Sequence, residues 1–150
     1  MYYLAKISFV ILFGTALTAC ATVALAPPAK DQQAKTFEVS EQQANIYVFR
    51  RAKIAGDALL LPIYLDGQFV GGVAPETFLL LQVNPGKHTV AAIMQEGQAV
   101  MTLRAKSRTN YFIKAQPSWG LLGPIAELYQ VPETVAREAI QDLSLASHIE

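Results

Sequence analysis

At 150 residues the chain has the length of one domain with a core of its own. Twelve lysines and arginines balance twelve aspartates and glutamates, so no strong net field selects nucleic acid or an acidic partner. A single cysteine excludes an intramolecular disulfide.

Residues 1–19 read as a signal peptide. Lys6 is a short basic start, and Ile7 to Leu17 is an apolar run too short and wrongly flanked for a spanning helix of about 20 apolar residues. Leu17-Thr18-Ala19-Cys20 resembles the lipobox of bacterial lipoproteins. That resemblance implies cleavage between Ala19 and Cys20, two acyl chains on the Cys20 thiol and a third on the new amino terminus. Several chains are needed because one holds only marginally, at about 0.8 kcal/mol per buried methylene. An ordinary signal peptide with an incidental cysteine is the competing reading. Ala21 stands where an aspartate would resemble an inner-membrane retention signal. The resemblance therefore implies an outer-membrane anchor, with the domain in the periplasm.

Residues 20–36 carry Pro27-Pro28 and then a polar stretch, which predicts a flexible tether. Its sixteen residues after Cys20 would reach about 50 Å fully extended. The folded body is expected over 37–131. Phe37–Val39 is a short first strand or a lead-in. Asn45–Arg51 follows, with Ile46 and Val48 on one face and Tyr47 and Phe49 on the other. Leu59–Leu65 and Gln68–Val73 flank Asp66-Gly67, a two-residue hairpin turn whose residues both tolerate positive φ. Thr77–Val83 leads to a reversal at Asn84-Pro85-Gly86-Lys87. His88–Gln95 and Val100–Lys106 flank Glu96-Gly97-Gln98, and Tyr111–Ala115 and an edge strand Ile125–Gln130 complete the series. Turn signals every eight to twelve residues predict an all-β antiparallel sandwich or partly open barrel of about seven strands. From Pro132 the period becomes helical: Val135, Ala136, Ala139, Ile140 and Leu143 form one face, so 132–150 is read as a C-terminal helix and tail.

Asn45-Ile46-Tyr47-Val48-Phe49-Arg50, Ile63-Tyr64-Leu65-Asp66-Gly67 with Val70-Gly71, and Pro85-Gly86-Lys87-His88-Thr89-Val90 resemble the small bacterial lipoproteins of domain-of-unknown-function family 2846. The Asp-Gly and Pro-Gly-x-His portion is also similar to PEGA-type envelope modules. The resemblance implies a prealbumin-like or immunoglobulin-like β-sandwich and is silent about chemistry. Arg51 stands where that pattern has a proline, so no role is carried over to it.

Catalytic residues are not evident. His88 follows a turn, where a ring nitrogen can satisfy a turn carbonyl, and His148 lies near the C-terminus, so no nucleophile–base pair is apparent. No spacing suits a metal, and no cofactor motif appears. Two features read as binding surfaces. Arg104, Lys106 and Arg108 recur at strand period opposite Leu103 and Ala105, and Arg50 and Arg51 lie in a second basic cluster; together they would suit anionic envelope polymers or lipid phosphates. Trp119, in the loop Pro117–Pro124, reads as a plug for the open end of the sandwich, with an apolar contact for an envelope protein as the alternative. The expected function is a non-enzymatic binding or accessory module held to the membrane by its lipids. An envelope-remodelling hydrolase and a structural subunit of a membrane complex are the alternatives.

Overall fold

The computed structural model describes residues 23–52 and 59–148. The signal peptide, Ala19 and Cys20 lie outside them. The elements run α1 (Pro28–Ala34), β1 (Ala44–Arg50), β2 (Leu61–Leu65), β3 (Gln68–Val73), β4 (Thr77–Val83), β5 (Gly86–Met94), β6 (Gly97–Ala105), β7 (Thr109–Trp119), β8 (Pro124–Gln130), α2 (Glu133–Gln141) and β9 (Ser144–Leu145).

The strands form a five-stranded sheet in the order β8-β7-β1-β4-β9 and a four-stranded sheet in the order β3-β2-β5-β6. Side chains from both sheets, among them Ile46, Val48 and Leu79 from the first and Leu61, Ile63, Val90 and Ala92 from the second, share one buried cluster. A second cluster lies on the other face of the five-stranded sheet. There Tyr47, Phe49, Phe78 and Phe112 meet Ala34 and Phe37 from the N-terminal segment and Ala136, Ile140 and Leu143 from the C-terminal one. The two-residue alternation read in β1 therefore separates two cores, and every position of β1 is buried.

Three expectations are corrected. The sheets are not wholly antiparallel: β1 pairs parallel with β7, and β4 parallel with β9. Strand alternation specifies which face a side chain takes but not the direction of the neighbouring strand. Phe37–Val39 forms no strand, because Phe37 adopts φ 59° and turns its ring into the second core against Tyr47 and Phe112. Beyond the expected strands, β9 follows α2, too short at two residues to show a period.

The tether is corrected too, as far as it is described. Pro27 and Pro28 open a helix, Pro28 at its first position, where a fixed φ and a missing N–H cost nothing. Before it, Ala24 O accepts from Ser147 N and Ala26 N donates to Leu145 O, both at 2.8 Å, and Leu25 bridges Ala146. Asp31 Oδ1 accepts from Leu145 N at 2.7 Å, and the buried Tyr47 hydroxyl donates to Ala34 O at 2.9 Å. Residues 23–36 are thus a strap fastened to the sheet edge. Burial raises the Tyr47 phenol to about 12, which keeps it a neutral donor.

Helix α2 begins at Glu133, one residue after the expected Pro132, which serves as its N-cap. It buries Ala136 and Ile140 but leaves Val135 56% exposed. Ile140→Ala is expected to lower the unfolding free energy by about 2–5 kcal/mol through transfer and cavity terms. Val135→Ala, on the exposed side of the same helix, is expected to change it by no more than about 0.5 kcal/mol. Urea unfolding of the two variants checks the contrast.

Candidate interaction surfaces

The Asp66-Gly67 turn is as the sequence specifies, with φ 51° and 83°. Its carboxylate joins the hairpin β2–β3 to β5. Asp66 Oδ1 accepts from Thr89 N at 2.8 Å, Asp66 Oδ2 lies 2.6 Å from His88 Nδ1, and His88 Nε2 lies 2.8 Å from Asn84 O. Both ring nitrogens thus face acceptors, and the imidazolium, with two N–H donors, is the form that satisfies both. Burial by itself would lower the His88 pKa; the bonds to Asp66 and Asn84 outweigh it and hold the ring above its ordinary 6.5. Burial by itself would likewise raise Asp66, and the bonds from His88 and Thr89 hold it below its ordinary 3.8. A ring engaged in this way has no lone pair for proton abstraction or a metal, so His88 acts as a clamp between turns. No group of three or more His, Cys, Asp or Glu that could hold a metal occurs among the described residues.

The basic residues separate. Arg50 is 1% exposed, and its guanidinium donates to Leu59 O. By strand parity with Ile46 and Val48 it sits between the sheets, so it is no surface residue; it fills the end of the core where Trp119 was expected. Arg51 lies at the same end, beside Glu76 at 3.8 Å and Asp142 at 3.5 Å. Arg108, in the β6–β7 turn, meets Glu41 at 3.4 Å. Arg104 and Lys106 are exposed and have no ion pair among the described residues.

The structure adds Lys87, which the sequence reading treated as part of a turn. In the β5–β6 hairpin Lys87 stands directly across from Arg104, both on the outer face of the four-stranded sheet. Like charges at opposed positions repel, and none of the four strands of that sheet contains a carboxylate. The turn expected at Glu96-Gly97-Gln98 falls instead at Gln95-Glu96, with Gly97 opposite Met94, and this change of register is why the pair was not legible in the sequence. Beyond the cations the same face turns apolar. Val100 opposes Ala91, Ala91 opposes Tyr64, and Tyr64 opposes Phe69, giving one row across all four strands, with Val100 and Phe69 exposed.

A second surface lies at the far end of the molecule. Lys114 pairs with Phe49 near the end of β1, so from Gln116 onward β7 continues with β8 as a two-stranded ribbon beyond it. Gly120 N donates to Gly123 O at 2.8 Å, closing the ribbon with Leu121 and Leu122 at its apex. A Cβ at Gly120 would meet the Glu96 carboxylate and the Ile125 side chain, so the glycine leaves room for the Glu96 side chain beside the ribbon. Trp119 is 65% exposed, Leu121 97% and Leu122 88%. The plug reading of Trp119 is therefore overturned, because the ribbon carries it past the end of the core. Fully burying a leucine contributes about 1.5–3 kcal/mol, so such an apex is a costly surface to leave in water.

The family model described as "Protein of unknown function (DUF2846)" matches residues 40–124. The chain belongs to this family. A Haemophilus influenzae protein described as "Uncharacterized protein" is 31% identical over 131 residues, which cover 87% of this chain and 77% of the relative. No solved structure matches. The DUF2846 match takes in the Asp66–His88 clamp, the Lys87–Arg104 pair and the ribbon apex, and leaves out the strap, α2 and β9.

The clamp gives this DUF2846 chain a pH dependence whose sign follows from the two shifts. The contribution of His88 is complete below 6.5 and is lost as pH rises through its raised folded value. That of Asp66 is present above 3.8 and is lost as pH falls through its lowered one. The urea midpoint of the wild type is expected to decline above pH 6.5, and His88→Asn is expected to remove that decline.

Proposed function

We propose that this protein is a cell-envelope lipoprotein, held to the outer membrane by acyl chains on Cys20, whose body is a non-enzymatic binding module facing the periplasm. The two sheets around a common core suit the prealbumin-like or immunoglobulin-like sandwich that its family resemblance implies. The partner it suits is an anionic envelope polymer, taken up on the outer face of the four-stranded sheet by Lys87, Arg104 and Lys106.

One observation carries this reading. Lys87 and Arg104 oppose each other on an exposed face whose strands contain no carboxylate, so an anion from outside would relieve their mutual repulsion. The adjacent row of Tyr64, Phe69, Ala91 and Val100 adds apolar surface for the uncharged part of such a ligand. A hydrolase would need a nucleophile beside a free base, and the engagement of both nitrogens of His88 favours binding over catalysis.

Purified lipopolysaccharide, as an anionic probe, is expected to bind the folded protein with an affinity that weakens as salt rises. The double variant Lys87→Gln/Arg104→Gln is expected to bind about tenfold more weakly, equivalent to about 1.4 kcal/mol. Binding unchanged by the double variant would overturn this assignment of the face. The anchor is tested separately: labelled palmitate is expected to enter the wild-type protein and not Cys20→Ser, and equal labelling of the two would remove the anchor.

A further inference from the structure

We propose that the open edge of β4, at Leu80 and Gln82, takes up an extended peptide segment of another protein as an added strand. This edge belongs to the five-stranded sheet, not to the sheet that carries Lys87 and Arg104, and it needs no acyl chain, so it adds a second kind of partner to the reading above.

Strand β9 pairs with β4 only at Thr77 and Phe78. Beyond it Ala146 N still donates to Phe78 O, and then the chain turns away, with Ser147 N donating to Ala24 O in the strap. Backbone groups alternate in direction along a strand, so Leu80 and Gln82 aim theirs to the same side as Phe78, away from β1. Among the described residues nothing pairs with either on that side. Two N–H donors and two C=O acceptors therefore stand open along one line, in pairs about 7 Å apart. Another extended backbone is the ligand that matches this spacing at every position.

The edge also lacks the usual protection. Charges, prolines or bulges blunt most exposed edges. Leu80-Leu81-Gln82-Val83 contains no charge and no proline, and its register with β1 is unbroken. Shelter comes instead from a recess of about 640 Å³, lined by Leu80 and Gln82 together with residues 145–148 and the strap. A single strand fits such a recess. The sheet of a second copy does not, because its own β4 edge is flanked in the same way.

Residues of an added strand that lie opposite Leu80 and Gln82 turn their side chains to the same face as these two. There Gln33, Thr36 and Gln43 offer neutral hydrogen-bonding groups, and Lys30 and Glu38 add one charge of each sign. The segment that suits the recess is thus polar at alternate positions and without net charge.

A random heptapeptide library displayed on phage, panned against the full-length protein in detergent, supplies the probe. Enriched peptides are expected to bind the wild type and to slow amide exchange at Leu80 and Gln82. Gln82→Pro removes an N–H that makes no ladder bond to β1, so it is expected to fold, as circular dichroism checks, and to bind these peptides about tenfold more weakly. Gln82→Ala keeps that N–H and is expected to bind within about threefold of the wild type. Should Gln82→Pro not fold, peptides N-methylated at alternate amides replace it: one set is expected to lose binding and the other to keep it, and equal behaviour of the two overturns the proposal. No enrichment over panning on a carrier protein overturns it, as do peptides that bind folded Gln82→Pro as tightly as the wild type or leave exchange at Leu80 and Gln82 unchanged. Slow exchange at both amides in a peptide-free dimer overturns it in favour of a second copy.

Discussion

The structure depends on the double burial of β1. A strand with apolar residues on both faces cannot lie at a surface, so the five-stranded sheet requires a cover on each side. The four-stranded sheet supplies one cover. The other is assembled from both ends of the chain, by α1 and Phe37 before the strands and α2 and Leu143 after them. Tyr47 shows the dependence most directly. Its ring stacks on Phe112 at 5.2 Å and meets Phe37 at 5.3 Å, while its hydroxyl fixes the carbonyl of Ala34. Without the terminal segments that ring and its neighbours would face water.

Because the helices cover one sheet, the outer face of the other remains open, and that division places the candidate surfaces. Lys87, Arg104 and the aromatic row lie on the uncovered sheet. Arg50, on the central strand, is drawn into the core. The ribbon escapes for a different reason: β7 is longer than β1, so its last residues have only β8 as a neighbour in the sheet. The Glu96 side chain lies against the glycines of that ribbon.

Sequence reasoning located what depends on local chemistry. The Asp66-Gly67 turn, the parity of β1 and β4 and the contact of His88 with the Asn84 carbonyl all follow from residues within a few positions of each other. It failed where a partner distant in the chain decides. Pro27-Pro28 and the polar residues after them look like a linker until β9 gives Asp31 and Ala26 something to bind. Phe37 looks extended until the second core claims its ring. Arg50 is indistinguishable from Arg51 by composition, and only alternation along a strand buried on both faces tells them apart. Trp119 was assigned to the core end because tryptophans are usually covered; the length of β7 relative to β1, which no local signal reveals, carries it clear.

The pairing of residues 24–26 with 145–147 also has a mechanical meaning. Tension applied through an anchored amino terminus would reach the body first through the bonds of Ala24 with Ser147 and of Ala26 with Leu145, loading two short segments that run past each other. Such a joint resists sliding better than peeling. Were it to yield, Asp31 and the helix behind it would be next to bear the pull, and the aromatic core would open only after them.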